Sequence, residues 1–328
     1  MLLEVKDLTL SLMRQGSYTK ILENVSFTVQ KGETLGIVGE SGCGKSMTAL
    51  SLMKLLPDKA KLFGEVLLDS EDLVKLPRKN LEKIRGDQMS MIFQDPLTSL
   101  NPLHTVGKQI EETLVLHTDL NKGQRRNRVI SLLKEVGLPR AEDLYNEYPH
   151  QLSGGMRQRI MIAIAMACNP KLLICDEPTT ALDVTVQAQI LELMNHLKET
   201  NDMGIIMITH DLGVVAEVCD NVMVMYAGQV VEKANVIELF QNPKHPYTKG
   251  LLDSIPQLEG KIEKLGSIPG TVPSPENMPV GCRFYDRCKY AMGKCKLETP
   301  PTVEIKENHS TACWLYEEEV RENELVGS

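Results

Sequence analysis

The eight residues GESGCGKS at positions 39–46 constrain this chain more than any other stretch. A short apolar run at 35–38 precedes them and a segment of helical periodicity at 46–56 follows, so the local order is strand, glycine-rich turn, helix. Glycine permits dihedrals that side chains forbid and lets the backbone approach a ligand closely. The amides from Gly42 to Ser46 can therefore surround a phosphate group at a helix amino terminus. Lys45 adds a point charge toward the β- and γ-phosphates, and the Ser46 hydroxyl is a ligand for Mg²⁺. Gly39, Ser41, Cys43 and Gly44 complete the loop, with Cys43 as a small filler.

Two further apolar runs, at 172–175 and 205–208, have the continuous hydrophobicity of parallel strands covered by helices. Asp176 follows the first, which sets its carboxylate at the carboxyl edge of a sheet as a Mg²⁺ ligand. Glu177, one residue on, is the candidate to polarise the water that attacks the γ-phosphate. His210 follows the second run and is placed to sense that phosphate. Gln94 opens QDPLTSLNP, a loop defined by its prolines, and its amide can touch both Mg²⁺ and the attacking water while the rest faces another subunit. Taken singly, an Asp-Glu-Pro triplet is a polar strand end and a histidine is a hydrogen-bonded structural residue. Their fixed order favours a site. LSGGMRQR at 152–159 has no role within one nucleotide site, so it implies a partner to which this chain lends half of a shared site.

With 328 residues, 42% hydrophobic and 24% charged, the chain can bury a core in more than one unit. A net charge of −8 exerts no general pull toward nucleic acid. The best candidate for a basic patch, Lys122, Arg125, Arg126 and Arg128, precedes Val129, Leu132, Leu133 and Val136 at helical spacing and reads as the solvated start of an amphipathic helix. The amino terminus lacks a basic region followed by a long apolar core, and the longest apolar run, 160–168, falls short of the roughly 20 residues that cross a bilayer. The expectation is a cytosolic chain with any membrane role taken through a partner. A helical subdomain is expected at about 95–165 within the α/β core. Nine of the 17 prolines lie beyond Asn242 and four of the eight cysteines beyond Gly281, so a loop-rich module is expected over 235–328 after a domain spanning 1–234.

These five stretches, in this order, resemble the ATP-binding subunits of ABC transporters over roughly residues 1–240. The resemblance implies an α/β P-loop cassette with a mixed sheet core, ATP and Mg²⁺ as ligands, and Ser153, Gly154 and Gly155 closing on the γ-phosphate held by the opposite subunit. It also implies a D-loop role for Asp183, linking the two sites, and an adenine-stacking role for Tyr18. QDPLTSLNP, NPKHPYT at 242–248, SIPGTVP at 267–273 and GCRFYDRC at 281–288 narrow the likeness to the oligopeptide/dipeptide importers, and GMRQR favours the D-type of their two ATPases. That likeness implies peptide import driven by closure and opening of an ATPase dimer. It also implies an F-type ATPase as heterodimer partner, two membrane-spanning permeases, an extracytoplasmic substrate-binding protein and a peripheral place at the cytoplasmic face of the membrane. Other cargoes, a metal chelate or a glutathione-like peptide, stay open. So do two other readings, a soluble ABC-type ATPase acting on ribosomes or DNA and a redox-sensing regulatory ATPase.

Cys282, Cys288, Cys295 and Cys313 follow a C-x5-C-x6-C-x17-C pattern with glycine and proline punctuation. Four thiolates can wrap one centre, and a reducing cytosol disfavours two disulfides. Four sulfur ligands suit zinc or a 4Fe–4S cluster. The short knuckle common in zinc sites is absent, and members of the resembled subgroup carry an iron–sulfur cluster there, so the cluster is favoured, with zinc as the alternative and unliganded thiols left open.

Overall fold

A computed structural model describes residues 1–14, 16–180, 182–254 and 267–317. Contacts divide the chain into two compact units. The first comprises Met1–Leu3, Val29–Thr34 and Leu68–Ile208, and the second Glu4–Thr28, Leu35–Leu67 and the described residues from Thr209 onward.

In the first unit, the strands Met89–Ile92, Leu172–Asp176 and Gly204–Ile208 run parallel, with Met89 opposite Leu172 and Leu172 opposite Gly204. Every residue of all three except Gly204, which has no side chain to bury, places a side chain in the interior, which is why they read as unbroken apolar runs and not as alternation. The expected helical region holds Val106–His117, Lys122–Glu135 and Gly154–Ala165, which pack on one another. Lys122–Glu135 starts at a reciprocal cap between Asn121 and Gln124 and buries Val129, Leu132 and Leu133. The arginines at its start are engaged by their own chain. Arg125 Nε donates to Glu111 at 3.1 Å, Arg128 donates to Glu135 at 3.0 Å and to Asn169 at 2.8 Å, and Arg126 lies over the Tyr145 ring at 4.4 Å.

In the second unit, the strand Thr34–Val38 pairs in parallel with Asn221–Tyr226 from Leu35 onward, and Asn221–Tyr226 pairs antiparallel with Gln229–Asn235. The sheet is therefore mixed. Sequence composition places a boundary near residue 235, yet the strand His309–Thr311 pairs antiparallel with Gln229–Asn235, matching Glu232 to Thr311, and Val303–Lys306 pairs with it in turn. A buried carboxylate secures this junction. Glu232 accepts the backbone N–H groups of Lys244 at 2.7 Å and His245 at 2.8 Å and meets His309 Nε2 at 2.8 Å, so its charge is met by three polar groups away from water.

Candidate nucleotide site

The phosphate loop belongs to the second unit, and its shape follows from what its glycines permit. Gly39 has φ 151° and Gly44 φ 110°. A Cβ on Gly39 would lie 2.3 Å from the Met225 carbonyl oxygen and 2.7 Å from Cys43 Sγ, so no side chain fits there. Gly44 caps the helix Lys45–Leu52, which points the amides of its first turn into the loop. Lys45 Nζ donates to the carbonyls of Gly39 at 2.7 Å and Glu40 at 3.2 Å. Cys43 is fully buried, and burial raises its thiol pKa; a neutral filler fits that position. Ser41 and Gly42 lie on the exposed side of the loop and Ser46 in the first turn of the helix.

His210 is exposed and lines a cleft of about 410 Å³ with Gly39, Glu40, Asp211 and Leu251. Thr209 N donates to the Ile37 carbonyl at 3.3 Å, and Asp211 caps the helix Leu212–Val218 through the amide of Gly213 at 2.8 Å. A strand end and a helix start thus bracket the histidine and fix its backbone beside the phosphate loop. Tyr18, in the strand Ser17–Val29, is 42% exposed, and the Lys61 ammonium lies 3.8 Å from its ring centroid. One face of that ring is engaged by a cation, which leaves only the other face for the adenine stacking expected of it.

The first unit brings together Gln94 and Glu177, which are 83 residues apart. Asp176 ends its strand with a buried side chain. Glu177 then adopts φ 49°, uncommon for a side chain of its size, while its amide donates to the Ile208 carbonyl at 2.9 Å. That turn swings its carboxylate to meet Gln94 Nε2 at 2.9 Å and Thr180 Oγ1 at 3.1 Å, both on Oε2. A carboxylate oriented by an amide and a hydroxyl is equipped to hold a water and take its proton. Thr180 is absent from the sequence reading because a threonine three residues past an acid has no distinguishing pattern of its own.

Ser153 caps the helix Gly154–Ala165, its hydroxyl accepting the Met156 amide at 3.3 Å, and Ser153 and Gly154 are exposed. A Cβ on Gly154 meets nothing within 4 Å, whereas one on Gly155 lies 2.9 Å from Val186 Cγ1. The first glycine keeps an exposed helix amino terminus open to an anion, and the second lets two helices approach. Asp183 caps the helix Val184–Asn201 through the Val186 amide at 3.0 Å, a structural duty alongside the linking role expected of it.

The four tail cysteines line one cavity of about 10 Å³, room for about one water. Burial pushes the Cys282 and Cys313 thiols up to about 11 and raises Cys288 as well, with neighbouring cysteines adding to each shift. Among the described residues, no group of three or more His, Cys, Asp or Glu side chains is arranged to hold a metal ion. The expected convergence on one centre therefore differs from the arrangement seen. Burial disfavours the thiolate forms of Cys282, Cys288 and Cys313.

The family model described as ABC transporter matches residues 22–180, and that described as oligopeptide/dipeptide transporter, C-terminal region, matches residues 231–295. The chain is 52% identical to the oligopeptide transport ATP-binding protein AppD of Bacillus subtilis, covering 97% of this chain and 98% of that one. It is 48% identical to the oligopeptide transport ATP-binding protein OppD of Haemophilus influenzae, covering 96% and 97%. Among solved structures, a dimeric post-hydrolysis state of the ATP-binding cassette MJ0796 bound to ADP and Pi matches with TM-score 0.64 at 31% identity, over 71% of this chain and 98% of that one. With half of all residues identical along nearly the whole of both chains, this chain belongs to the ATP-binding subunits of ABC transporters, in their oligopeptide/dipeptide-type branch.

Proposed function

We propose that this chain hydrolyses ATP to power import of di- and oligopeptides across the cytoplasmic membrane, as one half of a nucleotide-binding dimer. The observation that carries the reading is that similarity to proteins named for oligopeptide transport runs the length of both chains and includes the tail. Gly39, Ser41, Gly42, Cys43, Gly44, Lys45 and Ser46 cradle the phosphates. Ser46, Gln94 and Asp176 are the residues for Mg²⁺, Glu177 takes the proton of the attacking water, and His210 reads the γ-phosphate. Ser153 to Gly155 reach the nucleotide of the opposite subunit, with Asp183 linking the sites and Tyr18 meeting the base. Once the γ-phosphate is released, the anion that bridges the helix amino terminus to the opposite loop is gone and the dimer opens, which is how a nucleotide switch biases two states.

Among the described residues, no helix is long and apolar enough to cross a membrane. We place the chain peripherally at the cytoplasmic face, held by two permease subunits, supplied by a substrate-binding protein and paired with an F-type ATPase. The test is purification with co-purifying subunits, reconstitution in vesicles, and measurement of ATP-dependent accumulation of labelled di- and oligopeptides. Uptake that needs ATP and the Lys45 side chain supports the reading. Full ATPase activity with no permease attached and no peptide uptake refutes it.

For the tail cysteines we propose a 4Fe–4S cluster, with zinc as the alternative. The support is four soft ligands lining one cavity. Among the described residues the thiols are not set as a metal centre, so none of the steps above depends on it. Iron, zinc and sulfide content after anaerobic purification checks it.

A further inference from the structure

Every polar group of Glu40, the second residue of the phosphate loop, is held, two of them by the tail. Its backbone N–H donates to the Tyr247 hydroxyl at 2.8 Å. Its carboxylate receives a two-pronged contact from Arg287, with Nη1 to Oε2 at 2.6 Å and Nη2 to Oε1 at 2.9 Å. Its carbonyl accepts Lys45 Nζ at 3.2 Å and the Cys43 amide at 3.2 Å. One residue thus connects the tail to the lysine that meets the phosphates.

The two tail groups are themselves fixed. The Arg287 side chain is 5% exposed, and its remaining donors go to the Pro269 carbonyl at 2.8 Å, the Ile268 carbonyl at 3.3 Å and the Tyr226 hydroxyl at 3.4 Å. All five guanidinium N–H groups therefore have acceptors. Tyr247 is fully buried and packs edge-on against Tyr226 at 4.7 Å, and its amide donates to His245 Nδ1 at 3.1 Å. A planar fork with no spare donor and a buried phenol have one geometry available, so they impose it on Glu40. A purely stabilising contact has no need to fall on the loop that carries Lys45.

We propose that Arg287 and Tyr247 are positioning residues for nucleotide binding, clamping Glu40 so that the phosphate loop is set before ATP arrives. This rests on the ATPase reading above. Because the clamp acts on the loop and not on Glu177, loosening it raises the Kd and KM for ATP while kcat at saturation stays near wild type.

The test is a double-mutant cycle of Arg287→Met and Glu40→Gln in the full chain with its co-purifying subunits, together with Arg287→Lys and Tyr247→Phe. Kd for MgATP, kcat and KM for hydrolysis and melting temperature are read for each. The expectation is about tenfold weaker ATP binding for each single change at position 287 or 40 and clear non-additivity in the double variant. Arg287→Lys, which keeps charge but loses the fork, gives little rescue. Tyr247→Phe and Glu40→Gln, nearly isosteric, keep the inference testable if Arg287→Met fails to fold. Wild-type Kd in these variants, even with a lowered melting temperature, overturns the clamp and leaves the functional reading standing. A wild-type chain that binds no ATP overturns both.

Discussion

Glu177→Gln tests the proton acceptance proposed for this residue apart from its hydrogen bonds. The hydrogen bonds its carboxylate accepts from Gln94 at 2.9 Å and from Thr180 at 3.1 Å fall on the same oxygen. A glutamine can present its carbonyl oxygen there and keep the two contacts while losing charge and basicity. Going from charge-assisted to neutral weakens each contact by about 1 kcal/mol. If the whole of that sum passed to the barrier, hydrolysis would slow about thirtyfold. Loss of a general base costs about 10²- to 10⁴-fold, so the upper part of that range lies beyond what altered hydrogen bonding explains. Single-turnover hydrolysis with protein in excess, beside equilibrium MgATP binding, reads the two quantities apart. We expect binding within about threefold of wild type, as the phosphate loop is untouched, and a rate at least about 300-fold lower. A rate within thirtyfold refutes the assignment of Glu177 as the base.

Gly154→Ala should leave the melting temperature unchanged, because its Cβ meets open space, yet lower ATPase activity of the assembled protein by putting a methyl at the exposed helix amino terminus. Gly155→Ala should destabilise by about 1–3 kcal/mol through its contact with Val186, as denaturant midpoints will report. His245 is buried and its pKa is pushed down to about 4 by desolvation, against an ordinary 6.5. The unfolded histidine takes its proton near 6.5 and the folded one only near 4, so the unfolded state binds more protons in that window and stability falls as pH falls. About 2 kcal/mol should be lost between pH 7 and pH 5, and His245→Asn, which still caps the helix Pro246–Asp253, should flatten that part of the urea midpoint profile.

Much of the site is legible along the chain because its parts are local. The runs at 35–38, 172–175 and 205–208 read as strands since each is buried on both faces. Ser153 and Asp183, singled out by resemblance alone, turn out to cap the helices they precede, a duty visible only in the structure. What stays hidden is decided by residues far apart. Thr180 matters only because φ at Glu177 turns the carboxylate back toward it, and a Lys61 ammonium over Tyr18, 43 positions earlier, cannot be anticipated from the chain. The four cysteines share a cavity as their spacing invites, while burial, which only the tertiary structure decides, raises the thiol pKa of Cys282, Cys288 and Cys313.

By itself the sequence determined the phosphate loop, the strands that feed it and the placing of Asp176 and Glu177 at a strand end, since those depend on backbone freedom and on the period of apolar residues over a few positions. Only the tertiary structure decided that Arg287 and Tyr247, 247 and 207 residues beyond Glu40, hold the second residue of that loop. Pairing Gln229–Asn235 with His309–Thr311 anchors the far tail in the second unit, and a contact of that separation follows from the topology of the sheet, which no short stretch of chain encodes.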